Sequence, residues 1–110
     1  MTNAELNLAI AKLVYPDAIH YRKDSVGDLY AFYGNGVMLK CPDCNNWNDL
    51  MPLVVEHKIC LCPEYFSDTG YTGKWDAEFD DCGFAVISND DDPQRALAEC
   101  LLKVLEAKDE

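Results

Sequence analysis

Residues 74–80 alternate strictly between charged and apolar side chains. Trp75, Ala77 and Phe79 are the apolar members, and a charged residue stands on either side of each of them. Successive side chains of a β-strand point to opposite faces, so this period of two predicts a strand buried on one face and solvated on the other. Such a strand needs neighbouring strands and a layer packed against its apolar face.

Three amphipathic helices are predicted to supply that layer. The first spans residues 3–14, where Thr2 and Glu5 have the spacing of an N-terminal capping box. The second spans residues 46–57 and contains Pro52, which we expect in its first turns or at a kink. The third spans residues 93–107 and begins after Asp92, a favourable N-cap. The apolar stripe of the second helix comprises Trp47, Leu50, Met51, Val54 and Val55.

The rest of the chain is rich in strand signals. Residues 18–40 are predicted to be β-rich with tight turns, and residues 59–88 to form a meander of antiparallel strands. A chain of 110 residues is long enough for one hydrophobic core. We therefore predict a single α+β domain over residues 1–110, with three helices packed on an antiparallel β-sheet. Trp47 and Trp75 are expected to anchor opposite sides of its core.

The charge balance excludes some classes of partner. The chain has 20 Asp and Glu residues against 9 Lys and Arg, a formal net charge of -11. This charge disfavours ordinary nucleic-acid binding through a basic surface, and it disfavours anionic lipid surfaces. No apolar run approaches the roughly 20 residues that cross a bilayer, and the first residues lack a signal-peptide pattern. We expect a cytoplasmic protein with no membrane and no direct nucleic-acid partner.

The acidic residues are concentrated in residues 64–92, which hold nine acids and one base, a net charge of -8. One interpretation is a solvated surface that keeps the protein soluble. The other is a surface that binds a basic protein, or that imitates DNA phosphates in a DNA-binding site. The predicted interaction residues are Asp76, Glu78, Asp80, Asp81, Asp90, Asp91 and Asp92.

Six cysteines leave three interpretations open. Cys41 and Cys44 form a C-x2-C pair and Cys60 and Cys62 a C-x-C pair, which together have the ligand count of a structural zinc site. Alternatively, the cysteines are reduced and buried as small hydrophobic side chains. A thiol–disulfide pair at the second helix is less favoured, because no βαβ unit precedes it. Two further cysteines occupy core-like positions and are expected to be inert: Cys82 and Cys100.

No arrangement of catalytic side chains stands out. The two histidines, His20 and His57, are not part of a recognisable nucleophile motif, and no glycine-rich phosphate loop is present. We predict a non-enzymatic protein without catalytic residues, and with no cofactor other than the possible zinc ion.

Five short motifs carry a family resemblance: Asn46-Trp47, Pro52-Leu53, Glu56-His57 before Ile59, Trp75-x-Ala77 and Pro93-x-Arg95-Ala96. They resemble the phage ABA-sandwich domain family, the NinX-like proteins of lambdoid phages and prophages. The resemblance implies a phage accessory protein with helices packed on an antiparallel sheet, no established activity, and a host or phage protein as partner in the bacterial cytoplasm. Lys58 stands where the family commonly has Gly, and the four cysteines of the possible zinc site are not part of its pattern. We expect Arg95 to pair with a strand acid or with Glu99.

Overall fold

The computed structural model describes residues 1–81 and 83–109. Along the chain, three helices are separated by two groups of three strands. The helices are α1 (Asn3–Val14), α2 (Trp47–Glu56) and α3 (Pro93–Asp109). The strands are β1 (His20–Lys23), β2 (Leu29–Phe32), β3 (Met38–Lys40), β4 (Cys60–Phe66), β5 (Gly70–Asp81) and β6 (Phe84–Asp90). The predicted α+β class is confirmed: three helices pack on two antiparallel three-stranded sheets.

The first sheet, sheet A, has the strand order β1-β2-β3. Its inner face packs towards α1, where Ala31 lies in a small buried cluster with Ala11 and Cys41. Its outer face is arranged in two rows across the three strands, His20–Phe32–Met38 and Arg22–Tyr30–Lys40.

The second sheet, sheet B, has the strand order β4-β5-β6. The predicted alternation holds in β5, where Ala77 and Phe79 are buried and Glu78 and Asp80 are exposed. The buried side chains join the main core, to which α3 contributes Leu97, Leu101 and Val104. β5 pairs with β6 only from Trp75 onward, so the earlier part of β5 and the end of β4 form a two-stranded arm.

The sequence predicted one sheet, and the structure has two. Each sheet pairs only strands that follow one another along the chain, and α2 lies between β3 and β4. Helix α1 connects the two parts, because Leu6 and Ile10 face the main core and Ala11 faces the cluster beneath sheet A.

Helix α2 buries a narrower stripe than its periodicity predicted. Leu50 and Val54 are buried, whereas Trp47 is 42% exposed and Val55 is 69% exposed. Met51 is exposed as well. The expectation that Trp47 anchors the core is therefore wrong, although Trp75 does pack against it. The reason is that the main core reaches only one side of α2. Pro52 lies in the second turn, and the helix continues through it to Glu56.

Two helix termini are well defined: the predicted start of α1 and the end of α2. The amide of Glu5 donates to Thr2 Oγ1 at 3.1 Å and the amide of Thr2 donates to Glu5 Oε1 at 3.0 Å, which forms the predicted capping box. At the end of α2, Lys58 has a φ of 59°, in the left-handed region. The amide of Lys58 donates to the Val55 carbonyl and that of Ile59 to the Val54 carbonyl, which is a Schellman motif.

Candidate functional site

Four carboxylates lie on the face of sheet B opposite the main core. We call this set, Glu64, Asp76, Glu78 and Asp80, the acidic face. The alternation of β5 turns three of them away from the core, about 7 Å apart along the strand. In the register of the sheet, Glu78 lies between Cys60 and Ile87, and Ile87 is 62% exposed. The acidic face is thus an open, pleated surface with a small apolar element.

Neutral side chains hold two of these carboxylates in place. The amide nitrogen Nδ2 of Asn89 donates to Glu64 Oε2 at 2.6 Å and to Asp76 Oδ1 at 2.7 Å. The hydroxyl of Thr72 donates to the other Glu64 oxygen at 2.8 Å. Hydrogen bonds to ionised carboxylates are stronger than those between neutral groups, so this arrangement fixes the side chains without removing their charge.

The negative charge of the acidic face is not compensated by neighbouring cations. In residues 1–81 and 83–109, Arg95 and Glu99 form an ion pair within 4 Å, and His57 lies within 4 Å of Glu56 but forms an ion pair only when its imidazole is protonated. Neither involves the acidic face. Lys74, which shares the solvent side of β5, forms no ion pair with it within that distance in the same residues.

The structure separates the seven predicted interaction residues into groups. Asp76, Glu78 and Asp80 belong to the acidic face, whereas Asp81 lines a groove of about 300 Å³ beside α3, with Phe84 and Lys108. Asp90 and Asp92 form hydrogen bonds within the turn into α3. Asp90 Oδ1 accepts a hydrogen bond from the amide of Asp92, and Asp92 Oδ1 accepts one from the amide of Gln94, each at 2.9 Å. Asp91 is exposed in that turn.

Glu64 was not among the predicted interaction residues. It belongs to the acidic face only because Asn89, 25 residues away along the chain, meets it across the sheet. The count of acids in residues 64–92 included Glu64, but the spacing along β4 does not reveal this contact. The pairing of β4 with β5 shifts register between Pro63 and Tyr65, next to it.

The four cysteines of the predicted zinc site do not come together. Cys44 lies in the main core and Cys41 in the cluster beneath sheet A, whereas Cys60 and Cys62 are exposed on β4. Among the residues that the structure describes, no group of three or more His, Cys, Asp or Glu side chains could hold a metal ion. This geometry therefore gives the zinc interpretation no support, and it stays a prediction. Cys82 lies outside the described residues.

Burial also determines the chemistry of the inner thiols. It raises the pKa of Cys44 to about 12, with a further increase from the neighbouring Asp43 carboxylate. It raises the pKa of Cys100 to about 11, and it raises the pKa of Cys41. The thiolate is the reactive form, so these shifts disfavour reaction of the three side chains near pH 7. A redox role for Cys41 and Cys44 has no support in this environment.

Two other residues noted in the sequence have structural contacts. Arg95 Nε donates to Glu99 Oε1 at 2.6 Å, as expected, and Nη1 donates to Asn3 Oδ1 at 2.8 Å. Arg95 therefore fastens the first turn of α3 to the start of α1. The Lys108 ammonium group donates to His57 Nδ1 at 2.8 Å, which joins the end of α2 to the end of α3.

No model of a known protein family and no curated protein sequence matches this chain. None of the helices in the described part of the chain is long and apolar enough to span a membrane. The geometry of the acidic face is therefore the main guide to function.

Proposed function

We propose that this chain is a non-enzymatic binding protein, and that its acidic face docks on a basic surface of another protein. The observation that carries the proposal is that four carboxylates share one open sheet face without a compensating cation in residues 1–81 and 83–109. A surface of this kind attracts a positively charged partner during diffusion and disfavours partners of like charge.

The rigidity of the acidic face also supports binding. Asn89 and Thr72 fix Glu64, and Asn89 fixes Asp76, so these side chains lose little freedom when a partner arrives. Ile87, next to Glu78 in the register, adds an apolar contact at the centre of the surface. A protein surface that normally binds a phosphate backbone has the positive charge that matches the acidic face. In the DNA-mimic form of the proposal, the acidic face occupies such a surface. The phage or prophage origin suggested by the motif resemblance is compatible with this role and remains a prediction.

The experiment compares two variants of equal net charge. One carries Glu78→Gln with Asp80→Asn on the acidic face; the control carries Asp17→Asn with Glu106→Gln, two exposed residues on other elements. Proteins captured from a bacterial lysate by the wild type are identified and purified, and their affinities are measured by calorimetry at 50 and 300 mM NaCl.

We expect at least one partner whose affinity falls about tenfold or more both with the higher salt and with the acidic-face variant, since charge pairs at an interface contribute on the order of 1.5 kcal/mol or more. The control variant should bind like the wild type. Competition by a 20-base-pair DNA duplex then shows whether the partner uses its DNA-binding site. If every captured protein binds the two variants equally well, the proposal is wrong.

A further inference from the structure

The outer face of sheet A differs in character from the rest of the molecule. It carries two aromatic residues on the central strand, Tyr30 and Phe32, and two cations on the flanking strands, Arg22 and Lys40. His20 and Met38 complete the set, and we call these six residues the basic aromatic face. No part of this face contributes to either buried core cluster among the described residues.

The register places each ring between the side chains of the two neighbouring strands. Tyr30 lies directly between Arg22 and Lys40, and Phe32 lies between His20 and Met38. His20 and Phe32 are stacked, with ring centroids 4.9 Å apart and planes 8° from parallel. Tyr30 and Phe32 are two residues apart on one strand, so they are about 7 Å apart along it. A shallow depression of about 270 Å³ lies over this face, lined by both rings, Met38 and Arg22.

We propose that the basic aromatic face binds single-stranded nucleic acid, with Tyr30 and Phe32 stacking on two bases and Arg22 and Lys40 contacting phosphates. Aromatic rings on an open sheet recognise unstacked bases, and flanking cations recognise the backbone between them. A duplex hides the faces of its bases, so the rings discriminate against it.

The net charge of the whole chain does not prevent this local interaction. The acidic face lies on sheet B, which packs against α3, whereas sheet A packs against α1. A helix is about 10 Å across, which already exceeds the Debye length of about 8 Å at physiological ionic strength. One acid, Asp24, lines the depression, and its carboxylate accepts the amides of Val26 and Asp28 within its own turn.

The direct test is fluorescence anisotropy with labelled twelve-nucleotide oligo(dT) and oligo(rU) at 100 mM NaCl. We expect at least one of them to bind with a dissociation constant below about 100 µM, within the usual range for non-specific binding. A duplex of the same length should bind at least about tenfold more weakly. The relative affinities of the two strands show whether DNA or RNA is preferred.

Variants separate stacking from charge. Tyr30→Leu should weaken binding about tenfold, because it removes the aromatic ring and keeps apolar bulk, and Tyr30→Phe should retain binding. Tyr71→Leu, at an exposed tyrosine on β5, is the matched control. The slope of log affinity against log salt should be about -1.4 for two phosphate contacts, and Arg22→Gln should reduce its magnitude by about 0.7. Lys103→Gln on α3 should leave the slope unchanged.

The proposal is overturned if neither strand binds with a dissociation constant below about 100 µM, if the duplex binds as well as the single strands, or if Tyr30→Leu binds like the wild type. Circular dichroism confirms that each variant is folded. The outcome is independent of the proposed function, because capture of a basic protein uses sheet B and is tested with variants on β5.

Discussion

Asn89 donates its side-chain amide to the carboxylate of Asp76 at 2.7 Å, and the same nitrogen also reaches Glu64. One neutral donor therefore holds two negative charges close together. Replacing Asn89 by an acid would remove both hydrogen bonds and place three carboxylates close together.

We expect Asn89→Asp to lower the free energy of unfolding by about 1–2 kcal/mol at low salt, since it removes two hydrogen bonds and adds like-charge repulsion. The loss should shrink at 500 mM NaCl because salt screens exposed charges. Urea denaturation at both salt concentrations measures it. Asn48→Asp is the control: it makes the same change of charge in the first turn of α2, where a negative charge is favourable. Equal stability of the two variants would contradict the assigned role of Asn89.

Lys58 occupies a backbone conformation that favours glycine. Its φ of 59° places it in the left-handed region, and it closes α2 with the hydrogen bonds of a Schellman motif. We expect Lys58→Gly to raise the free energy of unfolding by about 1 kcal/mol, because glycine has no Cβ to strain there. Lys58→Ala keeps the Cβ and should leave stability close to that of the wild type. Thermal and urea unfolding of the three proteins give the comparison, and a less stable Lys58→Gly protein would refute the explanation.

His57 should make stability depend on pH. Burial lowers its pKa from the ordinary 6.5, and the neighbouring Lys108 lowers it further, while Glu56 opposes the shift. The unfolded chain therefore binds the proton more readily than the folded protein. The contribution of His57 to the free energy of unfolding should be fully present above about pH 6.5. It should decrease as the pH falls towards the lowered pKa of His57 in the folded protein.

His57→Gln removes this titration, so the decrease in stability below pH 6.5 should become smaller. Lys108→Met should weaken the pH dependence without abolishing it, because burial is the larger cause. Chemical denaturation at half-unit steps from pH 5 to pH 8 measures both effects. A pH dependence that is identical in the wild type and in His57→Gln would disprove this assignment.

The cysteines should differ sharply in reactivity. Cys60 and Cys62 are exposed, and we expect iodoacetamide at pH 7.5 to alkylate them in the folded protein. Cys44, whose pKa burial raises to about 12, has a much smaller thiolate fraction and should react far more slowly than the exposed thiols. Cys100 should also resist alkylation, because burial raises its pKa to about 11. Peptide mapping by mass spectrometry, with and without denaturant, distinguishes the sites. Rapid labelling of Cys44 in native buffer would contradict its position in the core.

The elements that the sequence predicted well are those with strong local signals. The capping box of Thr2 and Glu5, the N-cap at Asp92 and the alternation around Ala77 each depend on residues that are neighbours in the chain. Local hydrogen bonding and side-chain period determine such features. The exposure of Trp47 was missed, because helical spacing marks an apolar stripe but does not show how much of it another element covers.

The candidate site was predicted only in part. Asp76, Glu78 and Asp80 follow from the period of β5, but their partner Glu64 depends on a contact with Asn89 across the sheet. The zinc prediction, which the structure does not support, has a similar weakness. Cysteine spacing gives a ligand count, whereas the fold turns Cys44 into the core and leaves Cys62 on an exposed strand.

The two hydrophobic clusters are very unequal. Among the described residues, fifteen buried side chains form the main core, whereas three lie beneath sheet A. Native-state amide exchange should therefore show sheet A opening at a lower free energy than α3 and β6, as a separate cooperative unit. A ligand held by Tyr30 would slow exchange in β1, β2 and β3 first, and would protect the remainder of the molecule less.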